Sequence, residues 1–139
     1  MFARILVPMD LSARGLRALR CAADMAAVHR GRVILLHVIE RIEGIPASNL
    51  RGFYTKLDRT AHQRLAVIAR RLRAKGIEVV CEVIVGDPAT DIVRLAERRR
   101  ADVIVMSSHR VQPRSPGYGL GTTSYKTAIL CRCPILLVK

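Results

Sequence analysis

The 139-residue chain is predicted to be an α/β protein, built on a parallel β-sheet with helices on both faces. Three observations lead there. Five short runs rich in Val, Ile and Leu recur along the chain, at 3–9, 32–40, 77–85, 102–108 and 135–139. The segments between them carry helical spacing of apolar residues or helix start and stop signals. The strand-like runs are apolar almost throughout, as befits strands covered on both faces.

Each element has a local reason. "ARILVPM" (3–9) is the first strand, and Asp10 ends it. In 11–31, Leu16, Leu19, Ala22, Ala23 and Ala26 recur at helical spacing, with Ser12 as the expected N-cap and Gly31 as the stop. "RVILLHVIE" (32–40) is the second strand, and 41–50, with Gly44 and Pro46, is a loop. Phe53, Leu57, Ala61, Leu65, Ile68 and Leu72 then mark the apolar stripe of a long amphipathic helix that Gly76 ends. The third strand, 77–85, alternates more than the others, so one of its faces is expected to be more exposed. Asp87 and Pro88 are the N-cap and first residue of the next helix. A fourth strand at 102–108, a short helix from Thr122 to Leu130 and a fifth strand at 135–139 complete the chain. Pro134 blocks continuation of the last helix.

Half of the residues are hydrophobic, enough for one core, and the length favours one domain over 1–139. No apolar run approaches the roughly 18 residues of a membrane span, and no secretory leader is read at the N-terminus. Cys21, Cys81, Cys131 and Cys133 sit in apolar or helical settings, which points to a reducing cytoplasm and away from a disulfide scaffold. Cys131 and Cys133 lack a second pair at metal spacing, so no metal site is expected. The net charge of +13 is mostly arginine. Its spread over three helical segments, with two Phe, three Tyr and no Trp to stack on bases, reads as a solvated basic surface and not as a nucleic-acid site.

In parallel sheets ligands bind beyond the carboxyl ends of the strands. That rule selects Pro8–Ser12, Val38–Arg41, Gly86–Pro88 and the stretch from Ser107 onward. Asp10 offers a carboxylate to a ligand amine or hydroxyl, or else caps the helix after it. The segment Gly117-Tyr118-Gly119-Leu120-Gly121-Thr122-Thr123-Ser124 leads into a helix. Its glycines and helix start suit an anion, and Arg110, Arg114 and Lys126 add charge nearby. It matches neither G-x-x-x-x-G-K-[ST] nor G-x-G-x-x-G. Ser107, Ser108 and His109 near Asp10 invite a hydrolase reading, but neither serine stands in a G-x-S-x-G elbow. His37 reads as a packed or edge histidine. Asp102, at the start of a strand, belongs to the opposite rim and is structural.

The chain resembles the universal stress protein family over nearly its whole length. The matching pieces are "RILVPMDLS" (4–12), "VILLHVIE" (33–40), "GDPATDIVRLAERRRADVIVMSSH" (86–109) and "LGTTSYKTAILCRCPILLVK" (120–139). The resemblance implies a Rossmann-like three-layer α/β/α domain with a five-stranded parallel sheet in the order 3-2-1-4-5. It also implies a homodimer paired through the last strand, Ile135–Val138. Many members bind ATP, with an Asp after strand one and a Val near the end of strand two on the adenine side. These positions are Asp10 and Val38 here, with Pro8 and Met9 beside them. In such members G-x2-G-x9-G-[ST] after strand four holds ribose and phosphates. Here Ser107 and Arg110 stand at the first two glycines. Gly121 followed by Thr122 stands at the third, with ten residues between Arg110 and Gly121 in place of nine. A side chain there obstructs close backbone approach to a phosphate, whereas Arg110 supplies a guanidinium.

The resulting expectation is a cytoplasmic stress-response protein that binds an adenine nucleotide (ATP, ADP or AMP) weakly at the carboxyl rim and acts as a dimer. Mg accompanies it only with nucleotide. The phosphate side is Ser107, Ser108, Arg110, Gly121, Thr122 and Thr123. The alternatives are a family member that serves as a protein-interaction dimer without nucleotide, and a slow nucleotide hydrolase using Asp10 and His109. No catalytic residue is assigned.

Overall fold

The computed structural model describes residues 1–108 and 122–139. In chain order the elements are β1 (Arg4–Pro8), α1 (Gly15–His29), β2 (Arg32–Glu40), a 3₁₀ turn (Ala47–Leu50), α2 (Arg51–Ala74), β3 (Glu78–Gly86), α3 (Pro88–Arg98), β4 (Val103–Ser107), α4 (Thr123–Leu130) and β5 (Ile135–Val138). The five strands form one sheet in the order β3-β2-β1-β4-β5, and every neighbouring pair is parallel. This is the α/β architecture and strand order expected from the resemblance.

The sheet is covered on both faces because its central strands are apolar on both. Ile5, Val7, Val33, Leu35 and Val105 pack with Ala18, Ala22 and Ala26 of α1 and Leu65, Ala69 and Leu72 of α2. On the other face, Leu6, Ile34, Leu36, Ile104 and Met106 pack with Ile92, Leu95 and Ala96 of α3. A parallel ladder leaves no room for slippage here, since a one-residue shift would turn each strand over. The register pairs Pro8 with Leu36, and Ser107 with Val138. The carboxyl ends of these strands therefore finish at one rim. β3 is an edge strand, which accounts for its half-exposed interior.

Two helix readings are corrected. Ser12 does not cap α1, which begins at Gly15 after Arg14 without a side-chain cap. The Ser12 hydroxyl is used earlier: it donates to Asp10 Oδ1 at 2.7 Å and accepts from the Arg14 N–H at 3.3 Å. Leu16, assigned to the apolar stripe, is exposed, while Leu19, Ala22, Ala23 and Ala26 are buried. In α2 the stripe is rotated at its N-terminus. Tyr54 is buried in place of Phe53, which is 48% exposed, and Leu57 is exposed as well. The Tyr54 hydroxyl accepts from the Ile42 N–H at 2.9 Å, so the phenol enters with its polar tip satisfied, which phenylalanine cannot offer. The Asp87 cap and Pro88 start of α3 are as read, with Asp87 accepting from the Thr90 N–H. Thr122 caps α4, accepting from the Tyr125 N–H.

Asp102 lies at the amino rim as expected. It accepts from the Arg4 N–H at 2.7 Å and pairs with the Arg4 guanidinium at 3.4 Å. Among the described residues, all four cysteines are free thiols, and no helix is long and apolar enough to cross a membrane.

Candidate functional site at the carboxyl rim

The ends of β1, β2 and β4 and the first turns of α3 and α4 enclose a cavity of about 430 Å³. That is within the range of small-molecule sites. Of the residues singled out from sequence, Pro8, Met9, Asp10, Val38, Ser107, Thr122 and Thr123 line it. Thus segments separated by more than a hundred residues meet because β1 and β4 are adjacent in the sheet.

Asp10 is presented by a tight turn. Its Oδ1 accepts from the Ser12 N–H at 2.9 Å and the Ser12 hydroxyl at 2.7 Å. Between them Leu11 takes φ 66°, a left-handed conformation that costs a non-glycine residue on the order of 1 kcal/mol. Leu11 packs against the core in return. Asp10 is exposed and lines the cavity, so its carboxylate is within reach of a ligand donor. Partial burial works to raise the Asp10 pKa, but the Ser12 hydrogen bonds and the Arg14 guanidinium outweigh it. The carboxyl is held below its ordinary value and is anionic at neutral pH. Asp10 therefore closes a turn and does not cap α1.

The far wall is the start of α4. Thr122 Oγ1 caps the helix and lies 3.3 Å from Ser124 Oγ. Hydroxyls and first-turn N–H groups at a helix N-terminus favour negative charge. Leu36, Ile92 and Met106 give the cavity an apolar floor. The apolar floor lies between a carboxylate, Asp10, and a helix start, Thr122 and Thr123.

Some residues were not foreseen. His37 lines the cavity, and its Nδ1 lies 2.7 Å from the Met9 carbonyl. Its apolar neighbours Leu36 and Val38 placed it in a strand but could not tell which rim neighbour it would meet. Glu40 and Pro88 also line it; both lie in stretches that the carboxyl-end rule had selected. Ser124 belongs to the hydroxyl run Thr122-Thr123-Ser124 and is buried. Ser108 stands apart from the cavity wall, and its hydroxyl accepts from Lys139 Nζ at 3.2 Å. Arg110, Gly121 and His109 lie outside the described residues. Among the described residues no cluster of three His, Cys, Asp or Glu side chains is arranged to hold a metal ion.

A five-stranded 3-2-1-4-5 parallel sheet with a polar-rimmed cavity beyond β1 and β4 defines a Rossmann-like α/β domain. The model of the universal stress protein family matches residues 1–139, and the chain belongs to that family. It is 26% identical over 142 residues to the universal stress protein MJ0531 of Methanocaldococcus jannaschii, covering all of this chain and 83% of that one. The solved structure of MJ0577, a universal stress protein of the same organism, superposes with a TM-score of 0.83 at 29% identity, covering 100% of this chain and 96% of that one. A universal stress protein from Archaeoglobus fulgidus, solved in complex with dAMP, shares the fold with a TM-score of 0.71 at 22% identity over the full length of both chains.

Proposed function

We propose that this protein is a cytoplasmic stress-response module, one domain over 1–139, that binds an adenine nucleotide weakly at the carboxyl rim and acts as a homodimer. The observation that carries the reading is the convergence of Asp10, Val38, Ser107, Thr122 and Thr123 on one cavity with an apolar floor. The dAMP complex of a fold relative supports the class of ligand. In this reading Pro8, Met9, Asp10 and Val38 hold the adenine side, with the Asp10 carboxylate accepting from a ligand amine or hydroxyl. Ser107, Thr122 and Thr123, with Ser108, Arg110 and Gly121 from the sequence pattern, hold ribose and phosphates. Mg enters with the nucleotide alone.

Weak binding follows from Ser107. Its side chain lines the cavity where the nucleotide-binding pattern carries glycine, so a phosphate cannot approach that backbone as closely. Isothermal titration with ATP, ADP and AMP tests the reading. The expected Kd is weaker than about 1 μM, and Asp10→Ala weakens it about tenfold further. Sub-micromolar binding contradicts the weakness. Absence of binding to all three nucleotides, with no adenine absorbance released from heated protein, favours the second reading, which the same Ser107 supports: a dimer that recognises protein without nucleotide.

The dimer has a physical motive at β5, which ends the sheet. An apolar edge strand left bare invites uncontrolled pairing. Leu136 is 41% exposed there, and Ile129 and Leu130 at the end of α4 are also exposed. A twofold pairing of β5 with its copy covers this edge.

A further inference from the structure

The net charge of +13 is compensated unevenly from one element to the next. On the α3 side and at the strand ends six arginines are paired: Arg4 with Asp102, Arg32 with Glu78, Arg94 with Asp91, Arg98 and Arg99 with Glu82, and Arg132 with Glu97; among the described residues Arg41 and Arg100 stand singly there. Helix α2 differs. It holds seven Lys and Arg and a single acidic residue, Asp58, whose partner is His62. Arg51, Lys56, Arg59, Arg70 and Arg71 are exposed and have no carboxylate partner among the described residues. Like charges at i,i+3, as in Lys56 with Arg59 and Arg70 with Arg73, destabilise a helix.

The outward row of α2 follows from the inward one. Tyr54, Ala61, Leu65, Ala69 and Leu72 are buried, so the opposite row runs through Lys56, Arg59, Gln63, Val67, Arg70 and Ala74, all exposed. At 1.5 Å per residue, Lys56 to Arg70 spans about 21 Å, or about six phosphates along one strand of a duplex. A helix lying in a lipid interface needs a broad apolar face outward; here the outward row offers Val67 and one alanine, and the exposed Phe53 and Leu57 lie to one side of it near the start of the helix. Base stacking is equally unsupported by a row without aromatics.

We propose that the outer face of α2 binds the phosphate backbone of duplex nucleic acid, without sequence preference, at a surface separate from the carboxyl-rim cavity. Charge complementarity carries the choice of partner: a rigid helix face that presents Lys56, Arg59 and Arg70 on its outer row, with Arg51 and Arg71 beside it, meets a regular row of anions, and bound counterions are released.

The test is fluorescence anisotropy of the full chain with a labelled mixed-sequence DNA duplex. With about four phosphates neutralised, affinity falls about a hundredfold between about 50 and 200 mM salt. The triple variant Lys56→Gln, Arg59→Gln, Arg70→Gln binds at least tenfold more weakly in low salt, and its salt slope is shallower by about three. The control variant Arg94→Gln, Arg98→Gln, Arg132→Gln removes the same charge from the α3 side and keeps wild-type affinity. Circular dichroism verifies that both variants are folded. Equal losses in the two variants reduce the effect to general attraction and overturn the proposal. So does failure of the wild type to bind duplex in low salt, or tighter binding to phosphatidylcholine–phosphatidylserine vesicles than to duplex.

Discussion

The Nδ1 atom of His37 lies 2.7 Å from the carbonyl oxygen of Met9. A carbonyl can only accept, so Nδ1 carries the proton and the ring donates from β2 to the exit of β1. Met9 in turn donates its N–H to the Leu36 carbonyl at 2.8 Å. These two bonds continue the β1–β2 connection one residue past the strand and fix where Asp10 begins. Replacing His37 by Ala is expected to lower the unfolding free energy by about 1 kcal/mol, read as a lower urea midpoint at unchanged slope. An unchanged midpoint would show that water replaces the imidazole at no cost.

Two glycines make opposite predictions. A Cβ on Gly31 would stand 2.5 Å from the Phe2 carbonyl oxygen and 3.2 Å from that of Ala3, both rigid backbone atoms beside the Arg32–Ala3 hydrogen bond. Gly31→Ala is therefore expected to destabilise by about 1–3 kcal/mol. A Cβ on Gly52, within α2, meets nothing within 4 Å. Gly52→Ala is expected to stabilise by about 0.5–1 kcal/mol through helix propensity and reduced freedom of the unfolded chain. Thermal unfolding of both variants checks the pair, and midpoints moving in the same direction would refute the packing argument at Gly31.

These cases show what the sequence disclosed. Strand identity and order were legible because burial on both faces leaves continuous apolar runs, and because the quoted motifs match a family of known topology. The cap of α3 was legible because Asp87 and Pro88 act within three residues of themselves. The phase of α2 was not. Phe53 and Tyr54 have similar apolar bulk, and what selects Tyr54 is the Ile42 N–H, a loop donor twelve residues away. The start of α1 was missed for a similar reason. Ser12 is a good cap by type, but the Asp10 carboxylate two residues earlier recruits its hydroxyl. In the candidate site, the carboxyl-end rule found Asp10, Val38 and Ser107 from sequence. The roles of His37 and Ser124 depend on which side chains the sheet register brings opposite them.

Acid should weaken the fold through three aspartates. Hydrogen bonding from the Thr90 side chain and backbone lowers the Asp87 pKa. At Asp102 burial acts upward, but the Arg4 N–H and guanidinium outweigh it, and the result is again below the ordinary value. Asp10 behaves likewise. A carboxyl whose folded pKa is depressed binds its proton more readily when unfolded. Its stabilisation is therefore complete above the unfolded pKa, about 3.9, and is lost as pH falls through the folded value. Urea midpoints should be flat near neutrality and decline below about pH 4. Asp87→Asn retains an acceptor for the Thr90 N–H and should shallow that decline. A decline as steep as wild type would remove Asp87 from the acid response.

The exposed edge of the sheet gives the remaining prediction. β5 pairs with β4 on one side alone, so its outer N–H and C=O groups face away from the rest of the sheet. A second copy pairing there would satisfy them and bury Leu136 together with the exposed Ile129 and Leu130. A charge at Leu136 would then lie in that apolar seam without a partner, at a cost of several kcal/mol. Leu136→Lys is expected to sediment as a monomer at concentrations where wild type sediments as a dimer, with an unchanged far-ultraviolet circular dichroism spectrum. The added lysine would also protect the freed edge from promiscuous pairing, so the monomer should stay in solution. A variant that remains dimeric would move the interface to another face of the molecule, and a wild type that is already monomeric would remove the dimer from the proposed function.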